Sequence, residues 1–179
     1  MPVAGPARVL LLTGRPGIGK TTVMLRLAGF LADRRLAGFT TAEIREAGRR
    51  VGFRGTTLDG CEVVIAHENH SGSLRVGRYG VDVDAIEALA ASLAPDPQVE
   101  VYLIDEIGRM ECLCPQFVAA VERLRASPTC VVATVSESGG GLIAEVKRRP
   151  DATILQVTHA NRDSLPARIA ARLREGGRG

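Results

Sequence analysis

The eight residues Gly14-Arg15-Pro16-Gly17-Ile18-Gly19-Lys20-Thr21 constrain this chain more than anything else in it. Before them lies an apolar run, Val9-Leu10-Leu11-Leu12, bounded by Arg8 and Thr13. A short unbroken run of this kind reads as a parallel strand buried on both faces. After them, residues 20–34 carry Val23, Leu27 and Leu31 four apart, the stripe of an amphipathic helix. A glycine-rich turn between such a strand and such a helix can aim several backbone N–H groups at one compact anion. The residues fit G-x-x-x-x-G-K-[ST] without a mismatch, which predicts a phosphate-binding loop. Gly14, Gly17 and Gly19 let the backbone come close, and the helix start adds the positive end of its dipole. Lys20 reaches back towards β and γ phosphate oxygens. The Thr21 hydroxyl is placed to ligate Mg²⁺, with Thr22 beside it in the nucleotide-binding set.

Such a loop needs a carboxylate from the end of a second buried strand. Val101-Tyr102-Leu103-Ile104 leads directly into Asp105-Glu106. Asp105 is expected to hold the magnesium, directly or through its water shell. Glu106, next in the chain, can accept a hydrogen bond from a water in line with the γ-phosphate, general-base help worth roughly 10²–10⁴ in rate. Because water is the nucleophile that such a pair activates, the pair points to hydrolysis. Three positions complete the candidate site. Thr134, near the end of the run Val131-Val132-Ala133-Thr134-Val135, is placed to touch the attacking water or the γ-phosphate. Arg109, after the Gly108 turn, can stabilise transition-state charge as an arginine finger does, and Glu111 can hold it in place.

The remaining pattern predicts a single α/β domain over residues 1–179. Residues 36–45 and 51–58 read as two strands of an antiparallel hairpin, inserted over residues 36–58, with Gly48 in its turn. Residues 60–72 read as a polar, mobile loop, and residues 75–83 as a return to short extended structure. Asp82 or Asp84 is expected to cap a helix over 85–93, ended by Pro95 and Pro97. Strands at 99–104, 129–135 and 152–157 then alternate with helices at 115–126, 142–149 and 161–174, which implies a mainly parallel sheet covered on both faces. The tail 175–179 is expected to fray.

Composition removes several classes. Hydrophobic residues are 45% but aromatic residues only 3%, so the core is aliphatic and few rings are available to stack bases. That counts against a nucleic-acid platform, as does the mild net charge of +3. The spacing of the four cysteines fits neither a disulfide framework nor a zinc site and suits reduced thiols. No apolar run approaches the ~20 residues needed to span a bilayer. Residues 1–6 lack a secretory pattern, so a cytoplasmic protein is expected.

Further short blocks follow in order. They are Gly38-Phe39-Thr40 with Glu43-Ile44-Arg45, Gly48 to Phe53, Leu58-Asp59-Gly60, Val76 to Asp82, Asp105 to Glu111, and Val157-Thr158-His159-Ala160-Asn161-Arg162. With the phosphate loop, this series resembles the small P-loop nucleoside-triphosphatase family first known from thermophiles, with a cancer-related member in animals. The resemblance covers nearly the whole chain. It implies a three-layer P-loop NTPase fold with sheet order 5-1-4-3-2, and slow Mg²⁺-dependent hydrolysis of ATP, GTP, CTP and UTP to the diphosphate and phosphate. It also implies that Asn161 and Arg162 border the base. Two departures stand out: Arg109 replaces the family's usual lysine, and Ser136-Glu137-Ser138-Gly139-Gly140-Gly141 replaces more constrained residues after Thr134-Val135. A nucleotide or small-molecule kinase is the main alternative, with Arg45, Arg49, Arg50 and Arg54 as an acceptor clamp. A partner-stimulated nucleotide switch is the other. Oligomeric state is left open, including an arginine finger from a second subunit.

Overall fold

A computed structural model describes residues 8–176. The strands are β1 (Val9–Thr13), β2 (Leu36–Glu46), β3 (Arg49–Thr57), β4 (Glu62–His67), β5 (Arg75–Val76), β6 (Tyr79–Val81), β7 (Val101–Ile107), β8 (Cys130–Val135) and β9 (Ala152–Gln156). The helices are α1 (Lys20–Phe30), α2 (Val83–Ala90), α3 (Pro115–Ala126), α4 (Leu142–Lys147) and α5 (Leu165–Gly176). All nine strands form one sheet in the order β5-β6-β4-β3-β2-β7-β8-β1-β9.

This sheet differs from the expected one in extent. Four of its pairings are parallel and four antiparallel, so it is mixed rather than mainly parallel. The five parallel strands taken alone run β9-β1-β8-β7-β2. The order 5-1-4-3-2 therefore describes one half of the sheet and omits the other. The expected hairpin is the start of that other half. β3 continues to β4, which occupies residues expected to be a loop, and then to β6 and β5. The hairpin turns at Ala47 and Gly48, both with positive φ (48° and 79°), the combination that a two-residue I′ turn requires.

Side chains alternate between two cores, as the period of a strand dictates. Val9 and Leu11 of β1 face the core built with α2, α3 and α4, together with Tyr102 and Ile104 of β7. Leu10 and Leu12 face the core built with α1 and α5, together with Val101 and Leu103. The result is three layers. Asp82 caps α2 by accepting the Ala85 N–H at 3.0 Å. Tyr102, fully buried, keeps its hydroxyl satisfied by donating to the Ala94 carbonyl at 2.7 Å and accepting from the Asp96 N–H at 2.9 Å.

Gly38 in β2 shows how tightly β2 meets β7. Its φ is +113°, and a Cβ there would lie 1.9 Å from the Leu103 carbonyl oxygen. α1 ends at Phe30 rather than 34, and α5 begins at Leu165 because residues 159–164 form turns instead of helix. No helix among the described residues is long and apolar enough to cross a membrane. The secretory pattern sought at residues 1–6, and residues 177–179 of the tail, lie outside the described residues.

Candidate functional site

The phosphate-loop residues lie between β1 and α1, at the carboxyl end of the parallel strands. Gly14 is buried with φ +155°, and a Cβ there would come within 2.9 Å of the Val157 carbonyl oxygen and 3.1 Å of the Ile18 side chain. Only glycine lets the loop leave β1 against that neighbour. Ile18 is buried under the loop, while Arg15, Pro16 and Gly17 are exposed. Gly19, with φ 108°, precedes the helix, and its carbonyl accepts the Val23 N–H at 2.9 Å. Lys20 curls back into the loop, its Nζ 2.8 Å from the Gly14 carbonyl oxygen and 3.4 Å from that of Arg15. Thr21 is half-buried and Thr22 exposed.

β7 delivers Asp105 to the same place. Only 1% of Asp105 is exposed, and its Oδ1 accepts the Thr134 hydroxyl at 2.6 Å. The Thr41 N–H and hydroxyl lie 3.4 and 3.5 Å from Oδ2. Burial pushes this carboxyl above its ordinary range, and the Thr134, Thr21 and Thr41 hydrogen bonds and the Lys20 charge pull it back. Three segments distant in sequence thus converge on one carboxylate. The carboxylate oxygens of Asp105 and the hydroxyl of Thr21 are of the kind that suits a hard divalent cation. No group of three or more His, Cys, Asp or Glu able to hold a metal occurs among the described residues. Thr134, fully buried, gives its hydroxyl hydrogen to Asp105, which makes it a support of that carboxylate.

Glu106 is half-buried, and burial first, then the Asp105 charge, push its carboxyl up, against Lys20 and a hydrogen bond from Ser136. The Ser136 hydroxyl donates to Glu106 Oε1 at 3.0 Å. Glu111 is 4% exposed and does not hold Arg109. Instead it turns inward beside Glu106: Oε1 of Glu106 and Oε2 of Glu111 each lie 2.8 Å from the point a Gly108 Cβ would occupy. Burial and the Glu106 charge push Glu111 up to about 8. Arg109 is exposed on the turn and makes no ion pair among the described residues.

The turn after β9 closes the far side. Asn161 uses both ends of its amide within that turn, accepting the Thr158 N–H and donating to the Gln156 carbonyl, each at 2.8 Å. Arg162 reaches the loop itself. Its Nη1 donates to the Ile18 carbonyl at 3.2 Å, and its Cδ would lie 3.6 Å from a Cβ at Gly19. Thr13, at the end of β1, holds the one buried side-chain oxygen or nitrogen without a partner among the described residues. The contacts of Ser136, Lys147 and the loop side of Arg162 escaped sequence reasoning. Neither residue type nor local spacing marks them, and only the glycine-rich stretch at 139–141 hinted that this segment is specialised.

The model of the family described as NTPase matches residues 9–170, from β1 into α5, and so spans every segment of this site. The chain belongs to the NTPase family. Among its relatives, a Thermotoga protein named nucleoside-triphosphatase THEP1 is 37% identical over 158 residues, covering 87% of this chain and 90% of its own. A mouse cancer-related nucleoside-triphosphatase homolog is 35% identical over 182 residues, covering 92% of this chain and 96% of its own. The crystal structure of THEP1 from Aquifex aeolicus superposes with TM-score 0.83 at 32% identity, covering 92% of this chain and 98% of that one. The match in fold accords with the mixed sheet described above.

Proposed function

We propose that the chain hydrolyses nucleoside triphosphates, ATP, GTP, CTP and UTP alike, to the diphosphate and inorganic phosphate with Mg²⁺. The observation that carries this reading is Glu106. It follows Asp105 directly, is half-buried, and its only side-chain hydrogen-bond partner among the described residues is the neutral Ser136 hydroxyl. A carboxylate in no ion pair, and pushed up by burial more than Lys20 pulls it down, keeps its lone pairs basic enough to take a proton from water. The loop N–H groups, Lys20 and the start of α1 bind the phosphates. Magnesium supplies charge neutralisation at the phosphate oxygens when bound, and Thr21 and Asp105 are the residues that would hold it. Water attacks the γ-phosphorus while Glu106 takes its proton and the bond to the β–γ bridging oxygen breaks. Arg109 adds positive charge for the transition state, and Arg162 borders the phosphate loop while Asn161 shapes the turn beside the base. The setting is cytoplasmic, where the free thiols of Cys61, Cys112, Cys114 and Cys130 persist.

The kinase alternative loses its clamp. Arg45 and Arg50 pair with Glu43, Arg49 with Glu68, and Arg54 with Glu62, so none of these cations is left over for an acceptor. Phosphate release from the four triphosphates, with and without Mg²⁺, compared between wild type and Glu106→Gln, tests the proposal. Release from all four is expected, falling roughly 10²-fold or more in the variant while nucleotide binding persists. Full activity in Glu106→Gln, or release only when an alcohol acceptor is added, would overturn it.

A further inference from the structure

A general base works only if its carboxylate is held in one direction, and a glutamate side chain has several rotatable bonds with which to lose it. Glu106 is held from a segment on another strand. Ser136, the residue after β8, has its N–H bound to the Ile107 carbonyl at 3.2 Å and its hydroxyl on Glu106 Oε1 at 3.0 Å. The stretch that follows, residues 137–141, is exposed and ends in three glycines, so it cannot keep Ser136 in place by packing. Lys147, on the last turn of α4, does so. Its ammonium donates to the Ser136 carbonyl and, at 2.8 Å, to the Glu137 carbonyl, and it makes no ion pair among the described residues. A lysine aimed at two backbone carbonyls rather than at an acid or at water is an anchor for that backbone.

We propose that Ser136 and Lys147 are positioning residues for the hydrolytic step, with Lys147 fixing the Ser136 backbone and the Ser136 hydroxyl fixing Glu106. The inference rests on Glu106 being the base. One oxygen of Glu106 is held by Ser136, which leaves Oε2 for the water. Glu111 lies beside the same Oε1 across Gly108. The Ser136 hydrogen bond fixes Oε1 on this side and so limits rotation of the Glu106 side chain.

Steady-state hydrolysis and the Kd of a fluorescent ATP analogue with Mg²⁺, measured on the same preparations, test this. Ser136→Ala is expected to lower kcat about tenfold, the worth of one good hydrogen bond, with Kd within about twofold of wild type. Ser136→Thr, which keeps the hydroxyl, is expected to retain most of kcat, and Lys147→Met to fall like Ser136→Ala. The double variant Ser136→Ala/Glu106→Gln is expected to be no slower than Glu106→Gln alone, because the two residues act as one unit. Wild-type kcat in Ser136→Ala while Glu106→Gln collapses would overturn this inference and leave the base in place. A Ser136→Ala loss that simply adds to that of Glu106→Gln would also overturn it. Normal turnover in Glu106→Gln would remove the base and the inference together.

Discussion

Glu111 and Lys20 are the two charged side chains whose surroundings make the strongest demands. Glu111 stays protonated in the folded chain up to about pH 8, whereas an unfolded chain ionises it near 4.5. Between those values the unfolded state has released a proton that the folded state still holds. Stability contributed by this group is therefore present below about 4.5, falls as pH rises, and levels off above about 8. Glu111→Gln is neutral in both states. Stability measured by urea unfolding from pH 5 to 8 is expected to fall more steeply in wild type than in the variant, the difference being on the order of a few kcal/mol across the window. Parallel curves would mean the carboxyl finds solvation the fold does not reveal. Lys20→Ala removes the ammonium that sits 2.8 Å from the Gly14 carbonyl, and nucleotide affinity is expected to fall by ~100-fold or more in a titration. At this scale the placement of residues 14–21 between a buried strand and a helix, and of Asp105 and Glu106 at the end of another, could be read directly, because such chemistry would demand fixed residue types at fixed spacing. The inward turn of Glu111 could not, since a glutamate two residues after an arginine looks like its surface partner until the turn around Gly108 is known.

Strand β2 and the turn that follows it each carry a position where the backbone, not the side chain, decides the outcome. Gly38→Ala would drive a methyl into the Leu103 carbonyl and separate β2 from β7, the pair that aligns Thr41 with Asp105. A stability loss of at least ~3 kcal/mol and a weakened phosphatase rate are expected, checked by denaturant unfolding beside turnover. Ala47 is the opposite case, a Cβ-bearing residue held at φ 48°. Ala47→Asn converts the turn to the favoured Asn-Gly pair and is expected to add about 1 kcal/mol, visible as a higher Tm with unchanged kcat. Elements buried on both faces, such as β1, β7 and β8, announced themselves as unbroken apolar runs. β4 did not. Its Val64 is half-exposed and its ends are Glu62 and His67, so only its pairing with β3 and β6 makes it a strand. Pairing between distant segments leaves little local trace, and β propensity follows context. For the same reason the hairpin and the extended residues at 75–83 were visible as separate pieces, while β4 and the pairing that joins them in one sheet were not.

Across the whole molecule, the site is gathered from both ends of the chain. β1 lies between β8 and β9. Thr13 accepts the Val157 N–H at 2.7 Å, Gly14 is shaped against the Val157 carbonyl, and Arg162 bonds Ile18 across 144 residues. A fragment ending at residue 150 lacks β9 and leaves β1 as an open sheet edge. It is expected to bind no nucleotide in the same titration that detects binding by the full chain. Order of synthesis makes this matter. The loop at residues 14–21 leaves a ribosome well before residues 157–162, the partners that mould it. A chain still being made thus meets the cell's nucleotides with the loop's sequence exposed but not its shape. Nucleotide capture is therefore expected only once residue 162 has been made, and a chain halted short of it is expected to leave triphosphates unbound.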